Sequence, residues 1–211
     1  VTGFRIPSYW CRCDKDISCN PFFEEYAFGL PMSASHFAIA ESVALDLEVM
    51  ENSFQVLINN RNLHHKMSQE SRKRAIECYD WSVIINKYVD LWEDLICAKK
   101  KFFTIDNNEN NIFENYYYKA FSHYATAVLD SNSTLEITQE GMDILNCDKE
   151  WIRTYKWQDY IVHLDLCEGI LNILKSGADT IRKLEFLSDN CDALYRSAMY
   201  LIKHGYVRIK K

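Results

Sequence analysis

Apolar residues recur every three or four positions through residues 46–95, with polar residues between them. This spacing is typical of amphipathic helices, and it predicts three of them in succession. Asp46 and Asp80 stand where the first and third helices should begin, because a carboxylate there can accept from free backbone amides. The side chains of Asn59 and Asn60 should end the first helix.

Each of these helices has an apolar stripe that we expect to be buried. The stripes are Leu47, Met50, Phe54, Leu57 and Ile58 on the first helix, Leu63, Met67, Ala75 and Ile76 on the second, and Ile84, Tyr88, Leu91 and Leu95 on the third. Trp81 opens the third helix, and we interpret it as core, because large aromatic rings are mostly buried. Three such helices joined by short turns are also compatible with any helical bundle.

The pattern changes after residue 111, and the second half mixes helices with short strands. Helix, turn, helix and then strand is the order of a winged-helix unit, so this half predicts a helical, winged-helix-like domain. The predicted elements are a helix early in 112–129, a strand at 134–138 closed by a turn at Gly141, a helix within 147–175, helices at about 178–187 and 190–203, and an extended piece at 206–209 after Gly205.

Two irregular stretches suggest how the chain is divided. Residues 1–40 carry Pro7, Pro21, Gly29 and Pro31 without a clear period, which predicts a long loop. A polar, turn-rich stretch, TIDNNENN, is the best candidate boundary. We therefore expect a first domain over 1–100, a linker at 101–111 and a second domain over 112–211. The fold class that these elements predict is mainly α, with a few short strands.

Composition narrows the function classes. The net charge is -6 and 48% of the residues are hydrophobic, so the chain should fold, and an acidic balance argues against nucleic acid as its partner. No apolar run approaches the roughly 18–20 residues that span a bilayer, so we expect no transmembrane segment. The first residues show no secretion signal. We therefore expect a cytoplasmic protein, with its 8 cysteines reduced.

Two groups of residues invite a metal-binding interpretation. Cys11, Cys13 and Cys19, with His36 nearby, fit the spacing of no standard zinc finger, so we interpret them as ordinary thiols and keep zinc as the alternative. His64 and His65 are adjacent, and on a helix they point about 100° apart, so they cannot form a metal-binding pair. The sequence therefore predicts no metal site.

Five features of the first half occur in the order known from one enzyme family. They are the turn Thr2-Gly3-Phe4-Arg5-Ile6-Pro7, the pair Asp46-Leu47, the segment Asn60-Arg61-Asn62-Leu63 with Met67, the basic Ser71-Arg72-Lys73-Arg74, and Tyr79-Asp80-Trp81. With them, residues 1–97 resemble the closing segment of the retaining nucleotide-sugar glycosyltransferases of family 4, whose turn reads TGFLVP. The stretch between Pro7 and Asp46 departs from the compact family pattern and looks like an insertion.

The resemblance implies a two-Rossmann-domain enzyme that moves a sugar from a nucleotide sugar to a glycan or lipid-linked acceptor, with retention at the anomeric carbon. In that family the donor lies against a Glu-x7-Glu pair upstream of the TGF turn. No two Glu residues of this chain are eight positions apart. The resemblance therefore carries over no catalytic or cofactor-binding residue and implies no cofactor. A chain that begins inside this turn is expected to be an inactive fragment.

The function of residues 112–211 is judged from the helix that would read DNA. That helix, NCDALYRSAMYLIKHG, is largely apolar and begins with an acidic residue, whereas a base-reading helix needs polar and basic side chains. We expect it to be a core or interface helix and residues 112–211 to dock to a protein partner. A winged-helix transcription regulator is the alternative.

Overall fold

The computed structural model describes residues 2–11, 40–99, 122–147 and 162–210, and elements are numbered along these ranges. It confirms a mainly helical chain with a few short strands, which form two small sheets. Two compact units are present, and each is described by itself below. The units are Val1–Arg5 with Glu51–Glu114, called the helical unit, and Ile6–Met50 with Asn115–Lys211, called the mixed unit.

This division differs from the one expected from composition. Residues 6–50 were assigned by sequence to the first domain, but they belong with the mixed unit. The reason is strand pairing across the chain: Tyr9 lies beside Ala127 in a parallel pair. The predicted linker at 101–111 lies outside the described residues.

Three helices carry the predicted capping residues. They are α1 (Leu47–Asn59), α2 (Arg61–Tyr79) and α3 (Trp81–Lys99). The carboxylate of Asp46 accepts from the amide of Val49 at 3.0 Å, and that of Asp80 accepts from the amide of Ser82 at 2.9 Å. Both predicted helix starts are therefore confirmed. Asn60 separates α1 from α2 and caps α2, accepting from the amide of Leu63 at 2.9 Å.

The predicted burial of the helix stripes is wrong. Of the described side chains of α1, α2 and α3, only Met67 is buried. Trp81, interpreted as core, is 74% exposed. The physical reason is that periodicity shows that a face suits an apolar partner but not that the chain supplies one. The exposed members of the predicted stripes are Phe54, Ile58, Ala75, Ile76, Tyr88, Leu91 and Leu95.

The first sheet of the mixed unit has the strand order β2-β1-β3. Its strands are β1 (Ser8–Cys11), β2 (Val43–Leu45) and β3 (Ala127–Leu129). β1 is antiparallel to β2 and parallel to β3. β1 lies inside the stretch predicted as a loop, so that prediction is wrong for residues 8–11. Tyr9, Trp10 and Cys11 are all buried, and aromatic side chains suit a central strand.

The second sheet of this unit is antiparallel, in the order β5-β4-β6. It confirms the predicted strand near 134–138, the helices near 178–187 and 190–203, and the extended end near 206–209. Gly141 is a correction, because it lies inside a helix and not at the end of a turn. The elements are β4 (Thr134–Ile137), α4 (Gln139–Ile144), α5 (Leu164–Leu174), β5 (Asp179–Thr180), α6 (Ile181–Leu184), α7 (Cys191–Lys203), β6 (Val207–Ile209), and 3-10 turns at Ser122–Tyr124 and Glu185–Leu187.

Two predicted helices fall mostly outside the described residues. Within 147–175 the structure describes α5 and its flanks, and 148–161 are not described. Within 112–129 only the last residues are described, and they form a 3-10 turn and β3.

α7 is the central helix of the mixed unit. It packs against α5, β1, β2 and β6, so it has neighbours on several sides. Leu194, Ala198, Met199 and Leu201 are fully buried. This burial confirms the interpretation of α7 as a core helix.

Candidate interaction surface

An exposed apolar face runs along α3. It consists of Trp81, Ile85, Tyr88, Trp92 and Leu95, each at least half exposed, and is called the α3 face. The successive spacings are four, three, four and three residues, which keeps all five on one side of a helix. The rings of Tyr88 and Trp92 lie 6.0 Å apart in a tilted pair, so they form one continuous aromatic surface.

Apolar side chains lie directly beside the α3 face, and charged side chains lie toward the opposite side of the helix. Val89, Leu91 and Ile96 widen it and are 40%, 49% and 61% exposed. Lys87 and Asp94 are exposed and, being seven residues apart, lie on the same side of the helix. A wide apolar face with polar residues behind it is the surface of a helix that packs against something.

The start of α3 is fixed by a local network around Asp80. One oxygen of its carboxylate accepts from the amide of Ser82 and also from the Ser82 hydroxyl at 2.6 Å. The hydrogen bonds from Ser82 lower the pKa of Asp80, because they favour the charged carboxylate. The network holds Trp81 in the first turn of the helix.

α2 presents a polar and basic surface. Lys66, Arg72, Lys73 and Arg74 are exposed, and Lys73 lies 3.9 Å from Glu77 in a weak surface ion pair. The two adjacent histidines, His64 and His65, are exposed as well, as expected for a solvated face. His65 is 3.0 Å from the amide nitrogen of Gln69 and has a structural partner there.

In the mixed unit a buried hydroxyl and a carboxylate are paired. The Tyr9 hydroxyl donates to Asp46 at 2.9 Å, and both residues are buried. Burial and the neighbouring carboxylate raise the pKa of Tyr9 to about 12, so the hydroxyl stays protonated. Asp46 thus joins β1 to the first turn of α1, which is a structural role.

A second polar contact in this unit closes the end of α7. The ammonium group of Lys203 donates to Glu41 at 3.0 Å and to the carbonyl oxygen of Ala40 at 2.6 Å. Burial lowers the pKa of the adjacent His204, whose ring forms a tilted pair with the ring of Tyr200, with centroids 4.2 Å apart. These groups stabilise the packing of the helix end.

Only some of the cysteines lie within the residues that the structure describes. Cys11 is buried in β1, whereas Cys13, Cys19 and His36 lie outside the described residues, so the interpretation of this group as ordinary thiols, with zinc as the alternative, stays a prediction. Burial raises the pKa of Cys167 to about 12, which leaves an unreactive thiol in the core. Within the described ranges, no three His, Cys, Asp or Glu side chains are grouped so that they can hold a metal ion.

The sequence contained a signal for the α3 face that the burial prediction overlooked. The second helix offers few apolar residues, of which Ala75 is small, while its neighbours in sequence both carry full stripes. One weakly apolar helix cannot cover two such stripes, so an exposed face was foreseeable.

Among the described helices, none combines the length and the apolar character needed to cross a membrane. Compared with family models, curated proteins and solved structures, the chain gives no significant match. The resemblance to glycosyltransferases therefore depends on the residues of this chain alone.

Proposed function

We propose that this chain is the closing segment of a retaining glycosyltransferase of family 4. The whole enzyme would transfer a sugar from a nucleotide sugar to a glycan or lipid-linked acceptor, and these two molecules would be its partners. Such a site stabilises the diphosphate leaving group with fixed hydrogen-bond donors and positive charge. The helices α1, α2 and α3 would belong to the Rossmann-like donor domain, and residues 112–211 would form an appended winged-helix-like domain.

The observation that carries this proposal is the succession of helix starts. Asp46, Asn60 and Asp80 each cap a helix, and we propose that these caps correspond to the helix starts of the family pattern. A single cap is compatible with any helix, so the proposal depends on the order and spacing of all three caps together. The exposed apolar residues of α1, α2 and α3 also suit a piece that packs against further protein.

The proposal assigns no catalytic residue to this chain. Its hydrogen-bonded polar groups, Tyr9 with Asp46 and Lys203 with Glu41, have structural partners. The chain alone should therefore show neither turnover nor micromolar binding of UDP or GDP. A panel of nucleotide sugars, with release of nucleoside diphosphate as the readout, tests this. Turnover by residues 1–211 would mean that a donor site was overlooked.

A protein-docking function is the second candidate for residues 112–211. The element order α5, β5, α6, α7 and β6 supports a winged-helix-like arrangement. The helix in the recognition position is α7, and its burial between a helix and strands argues against insertion into a DNA groove.

An anisotropy titration of the full chain with random-sequence duplex, at about 150 mM salt, distinguishes docking from DNA reading. Docking predicts weak binding that disappears with added salt. Saturable submicromolar binding that Arg196→Ala reduces would instead favour the regulator.

A further inference from the structure

We draw no further inference here: the strongest candidate, the apolar surface patch on α3 formed by Trp81, Ile85, Tyr88, Trp92 and Leu95, carries none because nothing in the described part of the structure shows what covers it.

Discussion

Replacement of Asp46 by alanine should destabilise the mixed unit by more than the loss of a helix cap. The Asp46 carboxylate accepts from the Val49 amide at 3.0 Å and from the Tyr9 hydroxyl at 2.9 Å. Loss of an N-cap costs about 0.5–2 kcal/mol. A buried hydroxyl without its acceptor costs about 1–3 kcal/mol more. The free energy of unfolding should therefore fall by roughly 1.5–5 kcal/mol.

Chemical denaturation followed by far-ultraviolet circular dichroism measures this loss. Asp46→Asn separates the two contributions, because its single amide oxygen can cap the helix while its NH2 group takes the place of the oxygen that accepts from the Tyr9 hydroxyl; it should keep the cap and lose the bond from the hydroxyl, and so cost less than Asp46→Ala. Tyr9→Phe removes the hydroxyl, and in that background Asp46→Ala should cost only the cap. If Asp46→Ala costs the same with Tyr9 and with Phe at this position, the two residues are not coupled and our reasoning is refuted.

Three further predictions concern Gly141, Tyr9 and Asp80. Gly141→Ala should destabilise the mixed unit by about 1–3 kcal/mol in denaturation, because a Cβ there would overlap the carbonyl oxygen of Tyr206; an unchanged midpoint would contradict that closeness. The pKa of Tyr9 is raised to about 12 in the folded chain, above the value of about 10 in the unfolded one, so its stabilisation is complete below pH 10 and is lost as the pH rises through 12. Tyr9→Phe should remove that part of the alkaline destabilisation. Asp80→Ala should speed amide hydrogen exchange in the first turn of α3, whereas Asp80→Asn should not.

The features predicted from sequence are those set by neighbouring residues. Capping by Asp46 and Asp80 depends on an amide two or three residues away, and both helix starts were found. The strand at β4 and the helix at α7 follow from short-range alternation and periodicity in the same way. Local patterns therefore placed most of the described helices.

The features that were missed depend on distant residues. β1 is a strand because it pairs with β2 and with β3, and β3 follows more than a hundred residues later. No pattern within residues 8–11 predicts these pairing partners. The domain division failed for the same reason, since it followed composition along the chain and not strand pairing.

The candidate surface was half predicted. The predicted stripe of Ile84, Tyr88, Leu91 and Leu95 shares Tyr88 and Leu95 with the α3 face, and its predicted burial was wrong: Leu91 and Leu95 are 49% and 57% exposed. The spacing of apolar residues indicates that one face of the helix suits an apolar partner, but it does not identify that partner. The exposure of this surface could therefore be found only from the folded structure.

We propose that this chain contains the closing segment of a family 4 glycosyltransferase and that residues 1–211 hold no donor site. The most direct test is to express the complete reading frame that contains residues 1–211 and to assay it with nucleotide sugars, beside the 211-residue chain alone. We predict that the complete protein releases nucleoside diphosphate and forms a product with retained anomeric configuration, while the shorter chain does neither. A complete protein that binds no nucleotide sugar, or a shorter chain that turns one over, would contradict the account.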